Sequence, residues 1–190
     1  MAICEHLIAA DVAANCSNLI RAGVEQIGYI INKADIESIS ETDRVVDSIV
    51  MKTGKKAYRI QQLGAQPFNG TSSEMQEGDY ANTMNKVAAF VVLDNGPDIA
   101  KDIIEPLMNG EFVVIIENKY KDATKRNAFE MIGWDSGAHA TAISQNKYEN
   151  QSAWQVELTE TEVGNAGRYV WKNTVEDTRA LLDALLVAAE

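Results

Sequence analysis

Apolar and polar residues alternate from Val24 to Asn32, where VEQIGYIIN sets Ile27, Tyr29 and Ile31 on one parity. That is the spacing of a strand with one packed face, and Gly28 inside it marks a bulge or the close approach of another backbone. The β-branched run Val45 to Met51, the turn-like KTGKK and then AYRIQ predict a hairpin reversing at Gly54, with lysines solvating its tip. Residues 62–79 show no periodicity and are rich in Gly, Ser, Asn and Gln, which predicts a long loop. Loops of that length inside a domain are usually functional. The pattern returns from Tyr80 to Leu93 as an extended strand that grows more apolar toward its end.

Pro97 opens a helix predicted over 97–107, with Ile99, Ile103 and Leu107 along one face and Asn109–Gly110 as its stop. FVVIIEN is the clearest buried strand, and KYKDATKRN reads as a charged turn around 120–127 leading into AFEMIGWD, a second hairpin. SAWQVELTE and GRYVWKN suggest a further β pair turned through Gly164 and Gly167. A helix over 174–188 closes the pattern, with Thr174 and Asp177 resembling a capping box and Val175, Leu182, Leu185 and Leu186 as its apolar side. Residues 1–22, with weak helical spacing, read as an N-terminal arm. Residues 23–190 form one β-rich domain. Seven or eight strands in sequential hairpins predict a mainly β (α+β) fold, an antiparallel sandwich or barrel with a short central helix and a C-terminal helix.

Composition adds to this picture in three ways. Hydrophobic residues make up 46% and charged residues 24% of the chain, a balance that supports a packed core without metals or disulfides. The formal net charge of −11 opposes binding to phosphate backbones, and suits a protein that DNA passes without sticking as well as it suits plain solubility. Cys4 and Cys16 are the only cysteines, which gives no disulfide framework, and the opening MAICEHLIAADVAANC lacks the basic start of a signal peptide. No run approaches the ~20 apolar residues a membrane span needs. Synthesis in a reducing cytoplasm follows as the simplest expectation.

Catalytic and metal-binding patterns are incomplete. Cys4, His6, Asp11 and Cys16 have metal-ligand chemistry but lack the second short-spaced pair of a structural zinc site. Asp135, Ser136 and His139 have triad residue types, yet five residues of sequence rarely let one side chain orient the next, and a solvated loop is the plainer reading. Acidic residues such as Glu74, Glu77 and Asp79 lie close together as chance allows among 28 carboxylates. No nucleotide-binding glycine motif occurs. Trp134, Trp154 and Trp171 suit a β core, or a sugar-stacking face if exposed. Lys119, Lys121, Lys125 and Arg126 read as a solvated hairpin tip. The expectation is a protein without catalytic residues, cofactor or metal.

The opening MAICEHLIAADVAANC, the central FVVIIENKYK, and AFEMIGWDSG followed by NQSAWQVELTETE resemble phage and prophage structural proteins of gut Bacteroidetes type, and the likeness runs over most of the chain. The class it points to is the bacteriophage tail tube protein. The resemblance implies a β-sandwich or barrel flanked by a helix, hexameric rings stacked around a DNA-conducting channel, and a long loop and N-terminal arm that reach the next ring. It implies a place in the virion after assembly in the bacterial cytoplasm, with copies of itself and other virion proteins as partners, and no membrane. The arm and the 62–79 loop carry isolated hydrophobic residues that a partner would bury: Leu7, Ile8, Phe68 and Met75. A head-to-tail connector, a tail terminator or a capsid decoration protein shares several of these features. Outside virion architecture, a carbohydrate-binding module would need exposed tryptophans, and a small hydrolase would need His139 or a carboxylate pair in a concave pocket.

Overall fold

The computed structural model describes residue 8 and residues 10–12, 20–148 and 152–189; most of the predicted arm lies outside these. The strand predicted around Gly28 is β1, Val24–Asn32. Its pairing with β7, Phe112–Asn118, shifts register between Val24 and Gly28, so the glycine does sit at an irregularity. A close approach accompanies it: a Cβ at position 28 would lie 2.7 Å from Phe68 Cζ and 3.1 Å from the Ile115 carbonyl. In β7 the first six residues are all buried, since both faces of this strand are covered. Val113 and Ile115 enter one core, while Phe112, Val114 and Ile116 enter a second on the opposite face.

Among the described residues, eleven strands form two sheets. Besides β1 and β7 they are β2, Ile36–Thr42, β3, Val45–Met51, β4, Tyr58–Gln61, β5, Ser72–Gln76, and β6, Thr83–Val92. After β7 come β8, Phe129–Ile132, β9, His139–Gln145, β10, Trp154–Val163, and β11, Tyr169–Val170. A seven-stranded sheet has the order β2-β3-β11-β8-β7-β1-β4, and a four-stranded sheet the order β5-β6-β10-β9. All pairings are antiparallel except β3 with β11. The central helix runs as α1, Pro97–Ile99, a π-helical turn, Ala100–Ile104, and α2, Glu105–Asn109; the C-terminal helix α3 is Val175–Ala184.

The large sheet is the middle of three layers. On one face Tyr29, Ile31, Val113, Ile115, Phe129 and Met131 meet Val175, Leu182 and Leu185 of the C-terminal segment. On the other, Val114, Ile116 and Ile132 meet Ala88, Phe90, Val156 and Leu158 of the small sheet, with Leu107 of α2 closing one side. The mainly β sandwich with a short central helix and a C-terminal helix is therefore the observed fold. At α3 the Thr174 hydroxyl accepts from the Asp177 N–H at 3.0 Å, the N-cap bond expected of that pair.

Several expected connections differ. The hairpin at 120–127 forms, joining β7 to β8, but β3 and β4 do not pair across Gly54. They occupy positions five strand spacings apart in the large sheet. Five spacings in a flat sheet would be about 24 Å, close to the full reach of the seven steps from Met51 to Tyr58. A turn also shortens that reach, where the Lys55 N–H donates to the Lys52 carbonyl at 2.9 Å. The sheet must curl, and the curl brings its distant strands together over α3. The connection is fixed by the C-terminal segment: Gly54 N donates to Ala189 O, Ala189 N to Lys55 O, and Ala57 N to Leu185 O. The true hairpin partner of β3 is β2, turning at Asp43 and Arg44, both with positive φ (50° and 65°).

β10 and β11 also do not pair; they belong to different sheets, and the glycine-containing segment between them is a crossover. β10 pairs instead with β6 and with β9, a strand beyond those that the sequence pattern predicts. The 62–79 stretch is likewise not all loop, because it contains β5, hairpinned to β6.

Candidate assembly surface

The four-stranded sheet ends in β5 and β9, each paired with a strand on one side only, and α2 packs against β9. Each strand at the rim of the large sheet sends at least one side chain into a core, Ile36 from β2 and Ile60 from β4. β5 sends none: all five of its residues are exposed. β5 therefore lies on the rim of the small sheet, held to β6 by backbone pairing. Met75 is 62% exposed on it, and Tyr80 in its connecting loop is fully exposed. Where β5 stops, the edge of β6 is closed by side chains. The Gln62 carboxamide donates to Val91 O and accepts from Val91 N, both at 2.8 Å, as a neighbouring strand would, and Thr71 Oγ1 accepts from Ala89 N at 3.1 Å.

Strand alternation separates the two faces of this sheet. Ala88, Phe90, Val156 and Leu158 turn inward. Their neighbours in register, among them Glu74 opposite Asn85, Glu157 opposite Ala89 and Gln155 opposite Ser144, form the outer face. Within the strands this outer parity has carboxylates and amides but no lysine or arginine. The basic residue of β6, Lys86, points the other way.

Lys86 belongs to a charged cluster at the end of the inter-sheet core. It is 1% exposed, as is Glu160, its register partner on β10. Lys86 Nζ donates to Asn165 Oδ1 at 3.1 Å, and Asn165 Nδ2 donates to Asp135 Oδ2 at 2.8 Å. Arg168 binds Asp135 at 2.7 Å and Glu41 at 3.0 Å. Glu160 Oε1 accepts from the Asp135 and Ser136 N–H groups, at 2.7 and 3.3 Å. Burial depresses the Lys86 ammonium against the pull of Glu160, Glu130 and Asp135. Burial also pushes Glu130 up, with Lys86 and Asn118 opposing. For Asp135, burial acts upward, but hydrogen bonds from Arg168 and Asn165 outweigh it and hold the carboxyl below its ordinary value.

The residues singled out from sequence fare differently. Leu7 lies outside the described residues, while Ile8 and Met75 are exposed. Phe68 is not available to a partner. It is 3% exposed, seated over Gly28 in the inter-sheet core among Ile60, Val114 and Phe90. A backbone φ of 54° at Phe68 turns the surrounding polar segment so that this one ring points inward. Cys4, His6 and Cys16 lie outside the described residues. Asp135, Ser136 and His139 are not joined: Asp135 is held by Arg168 and Asn165, Ser136 Oγ donates to the Thr161 carbonyl at 2.8 Å, and His139 is exposed at the start of β9. Trp134 and Trp171 pack against the helix-side core, and Trp154 is half-buried on β10.

The Lys86 cluster had no place in the sequence reading, although a signal for it exists. Lys86 shares parity with Ala88 and Phe90, and Glu160 with Val156 and Leu158, so charges interrupt two inward stripes at paired positions. A groove of about 530 Å³ between β4 and the π-helical turn is lined by Ile30, Tyr58, Ile60, Leu93, Ile103 and Pro106 among others. In comparisons with known proteins, no family model, no curated protein and no solved structure matches the chain.

Proposed function

We propose that this protein is a virion structural subunit, most specifically a phage tail tube protein whose copies join into hexameric rings stacked around a DNA channel. The observation that carries the reading is the small sheet, whose end strands β5 and β9 each pair with a strand on one side only, with an outer face that holds carboxylates and no strand lysine or arginine. An antiparallel sheet with two free edges is completed when β5 of one copy pairs with β9 of the next. Repetition of that head-to-tail contact closes a ring where the rotation allows it. The inward faces already pack on the large sheet, which leaves the acidic outer faces to line the ring. Carboxylates there repel DNA phosphates and prevent the counterion-releasing contacts that would arrest passage. Met75 and Tyr80, exposed on β5 and on the loop that joins it to β6, add apolar area for a neighbouring copy to bury.

The reading requires neither a catalytic centre nor a cofactor. Sedimentation and negative-stain microscopy of the purified protein test it, alongside a Met75→Asp, Tyr80→Asp variant with unchanged circular dichroism. Rings or tubes in the parent and their loss in the variant are expected. A parent that stays monomeric at high concentration and is found on the capsid exterior in its particle refutes the tube and makes a decoration role the better reading.

A further inference from the structure

We propose that Lys86 and Asn165 are a self-acylating pair, in which the lysine amine displaces ammonia from the asparagine carboxamide and leaves an isopeptide bond tying β6 to the β10–β11 crossover. The inference does not depend on the assembly reading.

Lys86 is 1% exposed, yet among the described residues none of the ion pairs includes it. Its hydrogen-bond partner is the neutral Asn165 carboxamide, Nζ to Oδ1 at 3.1 Å. An ammonium buried against an amide is a costly arrangement, and carboxylates only near enough to act through space offset part of that cost. Loss of the proton relieves it, and burial drives Lys86 in that direction. A neutral amine held beside a carboxamide, out of water, is an activated nucleophile with its electrophile already in place.

The carboxamide is also fixed in orientation. Asn165 Nδ2 donates to Asp135 Oδ2 at 2.8 Å, and Asp135 is anchored by Arg168 at 2.7 Å. The amide therefore presents its oxygen to the lysine and its nitrogen to a carboxylate. After the ammonium proton has passed to solvent, Nζ adds to Cγ and forms the new C–N bond, while Oδ1 takes the negative charge. One proton leaves the attacking nitrogen and reaches Nδ2, with the Asp135 carboxylate against Nδ2 as the relay. Oδ1 then re-forms the carbonyl, the Cγ–Nδ2 bond breaks and ammonia departs. Amine plus carboxamide gives secondary amide plus ammonia, with no oxidant or other reactant. The product replaces a buried cation with a neutral group.

The bond would link the small sheet, through β6, to the segment that enters the large sheet at β11. Intact-mass measurement of the full chain tests this. The parent should be lighter than its sequence by one ammonia, and proteolysis should release a branched peptide joining Lys86 to Asn165. Lys86→Arg and Asn165→Ala should each have the full mass of their own sequences, and Asp135→Asn should slow or abolish the link while leaving the chain folded by circular dichroism. A parent of full mass after prolonged incubation, with Lys86 and Asn165 recovered in separate peptides, overturns the proposal. So does ammonia loss without a branched peptide, which would place it in a succinimide at Asn165. Running the same measurement on the Met75→Asp, Tyr80→Asp variant separates the two claims, since the link should form there even though rings do not.

Discussion

Phe68 and Gly28 show how one contact is written in two distant places. The ring occupies the space that a side chain at position 28 would fill, with Phe68 Cζ 2.7 Å from the ideal Cβ. Phe68→Ala should cost about 3–5 kcal/mol, the usual range for emptying an aromatic site in a core. Gly28→Ala should cost about 1–3 kcal/mol by overpacking. Denaturant titration of both single variants and the double variant tests the coupling: Gly28→Ala should cost less where the ring has already been removed, and strict additivity would mean the two positions do not meet. Only half of this pair was legible. An isolated glycine within an alternating strand announces a close approach, but Phe68 stands in a polar, aperiodic stretch whose sequence does not reveal that it folds back over β1. Lys86 was legible in principle through its parity with Ala88 and Phe90, because a charge on an inward stripe must find a partner.

At the scale of elements, periodicity located most strands and both helices, whereas their pairing was often misread. Gly54 carries the stronger turn signal, yet β2 and β3 reverse at Asp43–Arg44, where two L-residues take the left-handed conformation normally favoured by glycine and asparagine. Arg44→Gly should therefore stabilise the protein by about 1 kcal/mol by relieving the left-handed penalty, measured as a higher denaturation midpoint with unchanged slope. No gain would mean that the arginine makes contacts worth as much as the strain. The β10–β11 misreading has a related cause. Glycines at 164 and 167 allow a reversal equally well within a sheet and between sheets, and the choice is made by which apolar faces must be covered. β9 escaped notice because HATAISQ has small and polar residues where a rim strand needs few large ones.

For the whole molecule, the three-layer arrangement explains why fold class was readable while the role of each surface was not. The number of strands and the scarcity of helix fix a mainly β protein, but the outward side of the small sheet becomes visible only once β6, β9 and β10 are in register. If that side lines a channel, its charge matters more than the net charge of the molecule. Glu157→Lys, with Glu157 exposed on β10, should leave the isolated subunit as stable as the parent to within about 0.5 kcal/mol, as surface changes usually do. Assembled material should then retain DNA at low salt and release it as salt rises. Electrophoretic retention equal to the parent's would place Glu157 away from the DNA path.

The clasp between the segment around Gly54 and the segment that follows α3 also orders events in time. Translation produces β3 and β4 well before the Leu185 and Ala189 carbonyls and the Ala189 amide that hold the stretch between them. β6 likewise waits for β10. A nascent chain thus carries β3 and β4 through the synthesis of every element from β5 to α3 without the frame that positions them. β4, at the rim of the large sheet, is therefore set in its finished place only once residues 185–189 have been made.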